Sequence, residues 1–340
     1  MGIRIPRPQN MNLVIGAGAV GTILSAYLSL GHQAPKLFVR DKDKQRLQSL
    51  AELKVSHVAS GRAGIQLPKP ALSTSLDLGD TRFVFLCVKF PDLDPVLDQL
   101  PHQIPENCEI VSTLNGVAAV RHIRERFPQA RVTQMNVMFN AQLIEPLHAR
   151  ITTRPQVVID RQNRALAALF DDSGMQVLRG NGEAAAWGKL LINLANGLCA
   201  LTHTTFKDLF LPGDLRRCYA AVFEEAMQTL RAAAVDYQFP VRLPPPLYLA
   251  LLKRGGPLPW WFAKYRNGLR DGSYPSMVAD VVAGRPTEVD QLNGEIARLA
   301  QSMGRSARLN EKVVQLIQDL QEQHPPRYLR PEALLKALND

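Results

Sequence analysis

Cysteine is sparse in these 340 residues: Cys87, Cys108, Cys199 and Cys218 lie far apart, with no Cys-x-x-Cys pair. That removes disulfide-scaffold and zinc-site readings, so no metal is expected, and it fits a reducing, cytoplasmic setting. Aromatic residues make up only 6%, and no long Lys/Arg run or finger spacing occurs, so no nucleic-acid partner is expected. Long apolar runs are equally scarce. Residues 13–30 carry no charge and follow a basic N-terminus, which raises a signal sequence or a membrane span, but three glycines with Ser, Thr and Tyr make a poor span. No membrane partner is expected.

The remaining composition is that of an ordinary globular protein, with 46% apolar and 21% charged residues. The length favours two domains. Forty Lys and Arg against 31 Asp and Glu give a net charge of +9, a bias toward anions such as a phosphate-bearing cofactor or a small carboxylate.

Short β-branched runs alternate with helical patterns in the first half, the sequence form of a parallel sheet covered by helices. Strands are expected at Asn12–Ile15, Lys36–Val39, Phe83–Val88, Glu109–Ser112 and Val132–Val137, with helices at Val20–Leu30, Asp43–Leu50, Asp92–Leu100 and Val117–Phe127. Two β-like segments, His148–Thr152 and Gln156–Ile159, precede an expected helix at Arg161–Ser173 and a return to the sheet at Gln176–Leu178. The first domain then spans residues 1–182, with residues 1–10 read as a disordered extension. Residues 183–340 form the second domain, all helical, with helices at Glu183–Leu201, Asp214–Val235, Leu247–Lys253, Tyr274–Val282, Thr287–Met303 and Arg308–Glu322. The proline-rich stretch from Phe239 to Pro259 breaks that pattern and is expected as an irregular surface loop.

Gly16-Ala17-Gly18-Ala19-Val20-Gly21 follows the strand-like MNLVI and opens a helix, the context in which Gly-x-Gly-x-x-Gly binds a dinucleotide. Gly16 permits a tight turn, Gly18 lets backbone approach a pyrophosphate, and Gly21 lets the helix pack against the strand. The helix N-terminus supplies free N–H groups and partial positive charge. In a site that prefers NAD, an acid about 20 residues on binds the ribose 2′-hydroxyl. Here the second strand runs into Arg40, which suits a 2′-phosphate and favours NADP(H). Asp41 pulls the other way; Lys42 and Lys44 restore the balance.

In the second half, Lys189, Asn193 and Asn196 fall at i, i+4 and i+7 on one face of an otherwise apolar helix. Buried polar groups need partners, and tertiary hydrogen bonds or a substrate serve equally well. A second constellation runs Pro275-Ser276-Met277, then Gly284-Arg285-Pro286, then Thr287-Glu288 through Asn293-Gly294. Thr287 and Asp290 have capping-box-like spacing. Glu288 reads either as a first-turn acid or as a site carboxylate.

With these elements in order, the sequence resembles the ketopantoate reductase (2-dehydropantoate 2-reductase) family from about Met11 to about Leu320. The resemblance is carried by Gly16–Gly21, Val88-Lys89, Leu114-Asn115-Gly116-Val117, Trp187-Gly188-Lys189-Leu190 with Asn193, Ser276-Met277, and Gly284-Arg285-Pro286-Thr287-Glu288 with Asn293-Gly294. It implies a Rossmann-type parallel-sheet domain followed by an all-helical domain, with NADPH and a small-molecule 2-oxo acid meeting in the cleft between them. It implies that Lys189 is the catalytic lysine and Glu288 its partner carboxylate, also on the cofactor side. Asn193 and Ser276 match substrate-binding positions, Arg40 and Lys89 cofactor-binding ones, and Asn115 serves both. The expected activity is reduction of ketopantoate to pantoate in pantothenate biosynthesis. Homodimerisation is left open.

The chain departs from the family pattern at Leu114, where a Gln is common, at Gly197, where a second Asn is common, and at His148–Thr152, where a His-x-Gly-x-Gly segment is usual. Asn196 lies about 100° around a helix from position 197 and does not replace it. Two other readings remain: a dinucleotide-binding redox sensor or partner-binding module without catalysis, and a related dehydrogenase with another oxo acid.

Overall fold

The structure is a computed structural model that describes residues 11–57, 63–267 and 269–340. The extension expected over residues 1–10 lies outside them. The chain divides into two compact units, Met1–Leu114 with Ala119–Gly182, and Asn115–Ala118 with Glu183–Asp340.

In the first unit, β1 (Met11–Ile15) leads into α1 (Ala19–Leu30), then β2 (Pro35–Phe38), α2 (Asp41–Gln48), β3 (Glu52–His57), β4 (Ile65–Pro68), β5 (Ala71–Ser73) and β6 (Thr81–Leu86). A 3₁₀ turn at Phe90–Asp92 precedes α3 (Leu93–Leu97), β7 (Glu109–Ser112), α4 (Ala118–Arg126), β8 (Arg131–Gln134) and β9 (Asn136–Val137). The unit closes with β10 (Ala141–Glu145), β11 (His148–Ile151), β12 (Gln156–Asp160), α5 (Arg164–Ala168) and β13 (Gln176–Gly180).

Six strands form an all-parallel sheet in the order β5-β2-β1-β6-β7-β8. This is a Rossmann-type sheet. Because β1 sits between β2 and β6, the strand order reverses at its C-terminal end, where such sheets bind ligands. Alternation sorts the strand residues into two cores. Leu13, Ile15, Val84, Leu86 and Ile110 enter one, while Val14, Phe83, Phe85 and Val111 enter the other. Burial on both faces explains why these strands read as continuous apolar runs. Two small sheets, β10-β11-β3-β4 and β13-β12-β9, complete the unit.

Several elements differ from their sequence patterns. The expected Asp92–Leu100 helix is instead the 3₁₀ turn followed by α3, which ends at Leu97; Pro91 and Pro95 fall in the first turns of these two short elements, where a missing N–H donor is tolerated. The expected Val132–Val137 strand changes partner at Met135: β8 pairs with β7 and β9 with β12. The helix expected over Arg161–Ser173 shrinks to α5, capped where Asn163 Oδ1 accepts from the Leu166 amide. Residues 13–30, weighed above as a span, are a buried strand and a 12-residue helix.

The second unit contains α6 (Gly182–Asn193), α7 (Ala195–Thr202), α8 (Phe206–Phe210), α9 (Asp214–Ala232), α10 (Pro245–Arg254), α11 (Leu258–Asn267), α12 (Ser276–Val282), α13 (Val289–Ser302), α14 (Arg308–Gln321) and α15 (Pro331–Asn339). Among its described residues every regular element is a helix. One core gathers Leu190, Leu194 and Leu198 with Tyr219 and Phe223 of α9 and Ile296 and Ile317 of α13 and α14. The helix expected at Glu183–Leu201 breaks at Leu194 into α6 and α7. Together, Gly182–Thr202 is long and apolar enough to cross a membrane, yet 83% of its most apolar 18-residue stretch is buried within the fold, the position of a core helix. The loop expected from Phe239 to Pro259 instead carries α10 and the start of α11. Pro245 and Pro246 occupy the first turn of α10, where a missing N–H costs nothing.

Candidate active site

The turn after β1 is shaped by its glycines. Gly16 has φ +108°, and a Cβ there would lie 2.8 Å from the Cys87 carbonyl oxygen. A Cβ on Gly21 would lie 1.9 Å from the Gly16 carbonyl oxygen, so α1 starts this close to the strand only with glycine at both places. Gly18 differs: no atom lies within 4 Å of its Cβ position. It is the N-cap of α1 and has no side chain to satisfy the first-turn amides, and no acid stands in that turn. Ala17, Ala19 and Val20 pack partly buried against the core beneath. The result is an open cradle of backbone N–H groups that fits a pyrophosphate.

Arg40 is exposed at the N-cap of α2, and its Nε donates to Asp43 Oδ2 at 3.0 Å. Among the described residues, no hydrogen bond engages its other guanidinium donors. Asp41 lies inside the first turn of α2. Lys89, half-buried, is the N-cap of the 3₁₀ turn that follows β6.

In the second unit, three predicted residues meet. Lys189 Nζ on α6 donates to Asn115 Oδ1 at 2.7 Å, and Asn115 Nδ2 donates to Glu288 Oε2 at 3.1 Å. All three are half-buried. The amide has one acceptor and one donor end, so it holds the ammonium and the carboxylate in one chain without direct contact. Burial pulls the Lys189 ammonium down from its usual 10.5 to about 8, and the Glu288 charge opposes that shift without cancelling it.

Each member is presented by local structure. Lys189 sits between Trp187 and Leu190, both buried in the helical core. Asn115 precedes Gly116, which has φ +77° and whose Cβ position is 2.5 Å from the Gln291 carbonyl oxygen of α13. That close approach seats Asn115–Ala118 on the second unit. Glu288 is the N-cap of α13 but makes no side-chain cap, leaving its carboxylate to Asn115. The capping box expected between Thr287 and Asp290 does not form: the Thr287 hydroxyl donates instead to Gln321 Oε1 at 2.8 Å.

Other predicted residues stand apart from this chain. Among the described residues, no hydrogen bond joins Asn193 or Ser276 to it. Asn193 is half-buried at the last residue of α6, and Ser276 is exposed at the first residue of α12. Asn196 is buried beyond the break at Leu194, so the three-residue face read from spacing is interrupted. A Cβ on Gly197 would lie 2.8 Å from Val313 Cγ1. His148–Ile151 is β11, an interior strand of a small sheet. Sequence reasoning gave no role to Gly116, although Asn-Gly is a turn signal, and none to Gln321, which lies 34 residues from its partner Thr287.

A doubly wound sheet with a glycine turn at its switch point is the architecture of dinucleotide-dependent oxidoreductases. The family described as ketopantoate reductase PanE/ApbA matches residues 12–164, and its C-terminal counterpart matches residues 181–321. The chain belongs to the ketopantoate reductase family, a family of oxidoreductases acting on CH–OH groups with a nicotinamide dinucleotide. The 2-dehydropantoate 2-reductase of Aquifex aeolicus is 24% identical over 332 residues, covering 90% of this chain and 95% of that one. A PanE/ApbA family ketopantoate reductase from Ralstonia eutropha has a TM-score of 0.75 at 23% identity, covering 92% of this chain and 100% of that one. D-mandelate dehydrogenase, solved with NADH and anilino(oxo)acetate, has a TM-score of 0.73 at 20% identity, covering 97% and 99%. These structural likenesses establish the fold.

Proposed function

We propose that this protein reduces a 2-oxo acid to a 2-hydroxy acid with NADPH, its substrate being ketopantoate and its product pantoate, in pantothenate biosynthesis. The Lys189–Asn115–Glu288 chain carries this reading. The cofactor supplies hydride to C2 of the oxo acid. Negative charge then grows on the carbonyl oxygen, and Lys189, charged at neutral pH with its affinity for the proton lowered by burial, is suited to hold and protonate that oxygen. Such a general acid is worth roughly 10²- to 10⁴-fold in rate.

Asn115 fixes the ammonium from one side, and Glu288 orients Asn115 and offers its second oxygen to a substrate hydroxyl. Ser276 and Asn193 are assigned to the oxo acid. On the cofactor side we assign the pyrophosphate to the backbone of Gly16–Gly21, the 2′-phosphate to Arg40, and further contacts to Lys89, Asn115 and Glu288. Residues 1–182 would thus form the NADP-binding domain and residues 183–340 the substrate domain, with Asn115 serving both. Four buried, unpaired cysteines accord with a reducing cytoplasm. A homodimer accords with the dimeric ketopantoate reductase of Staphylococcus aureus.

A second reading, another 2-oxo acid with NADH, draws on two features. Arg40 is already paired to Asp43 beside Asp41, and Gly197 faces Val313 without room for a side chain. Consumption of NADPH and of NADH with ketopantoate and a panel of other branched and aryl 2-oxo acids separates the two. Fastest turnover with ketopantoate and NADPH is expected. Turnover of other oxo acids only, or with NADH only, transfers the assignment to the second reading.

A further inference from the structure

Ser276 opens α12 and Glu288 caps α13, and only residues 283–288 lie between the two helices. That connection is exposed from Val282 to Pro286 and turns at Gly284, φ +61°. Behind it lies a cavity of about 80 Å³ whose lining includes Gly284, Arg285, Leu320, Gln321 and His324. Apolar packing therefore does little to fix its course, and the polar contacts matter more.

Those contacts come from both sides. The Gln321 amide spends both of its ends on the connection: Oε1 accepts from the Thr287 hydroxyl at 2.8 Å, and Nε2 donates to the Arg285 carbonyl oxygen at 3.4 Å. Thr287 itself is 7% exposed. From α12, Asp280, one turn beyond Ser276, accepts from Arg285 Nε at 3.1 Å and pairs with Nη2 at 3.0 Å. The Arg285 amide also donates to the Asp280 carbonyl oxygen at 2.9 Å. A further tie joins Gln318 Nε2 to Asp290 Oδ1 at 3.3 Å. The end of α14 thus grips the residue immediately before Glu288, while Arg285 ties the same segment back to the helix that carries Ser276.

We propose that Gln321 and Thr287, together with the Asp280–Arg285 pair, form a clamp that sets Glu288 and Ser276 at the separation a bound oxo acid requires, so that Gln321 and Thr287 are positioning residues for substrate. The substrate part of this inference rests on the function proposed above. A small misplacement of groups that orient a substrate costs as much as about 10²-fold in rate, whereas a merely structural hydrogen bond, once lost, shows as lowered stability.

Thr287→Val removes the hydroxyl at nearly constant shape, Thr287→Ser restores it, and Gln321→Leu removes both amide contacts. With an oxo acid that the wild type turns over, the clamp predicts that Thr287→Val and Gln321→Leu lower kcat/KM by roughly 10- to 100-fold, mainly through KM for the oxo acid, with NADPH affinity changing far less than that KM and Thr287→Ser close to wild type. Unchanged kinetics in both variants overturn it. So does a loss shared equally by Thr287→Ser and Thr287→Val that follows a lowered melting temperature.

A wild type that turns over no oxo acid sinks the proposed function instead, and the clamp is then read from Lys189. By NMR of ¹³C-methylated lysine, Thr287→Val and Gln321→Leu should lower the Lys189 titration midpoint, because the Glu288 charge that opposes its depression is no longer held beside it. An unmoved midpoint overturns the clamp without reference to turnover.

Discussion

At Lys189 two forces oppose each other. Burial among apolar neighbours disfavours the ammonium, Glu288 favours it, and the desolvation cost prevails, leaving the amine at about 8. Asn115 is central to this balance because a neutral amide occupies the place where a carboxylate in direct contact would hold the ammonium more strongly. The direction of the pH effect follows. In oxo acid reduction the ammonium must give up its proton, so the protonated enzyme is the active one, and kcat/KM reports the free enzyme. It should be level below about pH 8 and fall tenfold per unit above it. A steady-state profile from pH 6 to 10 checks this, and a profile flat to pH 10 would remove Lys189 as the proton donor.

Among elements, the short Asn115–Ala118 segment is the one whose geometry was least visible beforehand. It lies between β7 and α4 of the first unit but clusters with the second, because Gly116 brings the backbone to within contact of Gln291. Gly116→Ala meets both a left-handed φ and a carbonyl oxygen 2.5 Å from the new Cβ. Strain of this kind costs on the order of 1–3 kcal/mol. The substitution should lower the urea midpoint accordingly and reduce turnover by displacing Asn115. Full activity with the lowered midpoint would detach Asn115 from the chemistry.

The elements also show where pattern reading succeeds. β1, the glycine turn and α1 were legible because a strand buried on both faces, three glycines of distinct duty and an uncharged helix leave little choice. The same holds for β6 and β7. β3, β4, β5 and β10 escaped notice because they are short: the alternation of Glu52 and Lys54 with buried Leu53 and Val55, or of Ile65 and Leu67 with Gln66, spans too few residues to stand out from a loop. Lys189, Asn115 and Glu288 were singled out in advance, but their contacts were not. Those contacts join residues 74 and 173 positions apart in the chain, a separation that no local pattern encodes.

For the molecule as a whole, the units share no core and differ in chemistry: two cores about the sheet and an open glycine cradle in the first, one helical core and a lysine, amide and carboxylate chain in the second. The net charge of +9 suits the proposed reaction, in which a phosphate-bearing cofactor and an oxo acid are both anions. It follows that binding and chemistry should separate on mutation. A ligand bound only to the folded state raises stability by about 2.7 kcal/mol at a hundredfold excess over Kd, so cofactor binding remains readable as a thermal shift when turnover is lost. The most direct measurement is therefore Lys189→Ala, assayed for oxo acid reduction and for the thermal shift with NADPH in parallel with wild type. The predicted result is a loss of turnover of roughly 10²- to 10⁴-fold with the NADPH-induced shift retained. Turnover equal to wild type with the same retained shift would contradict the account.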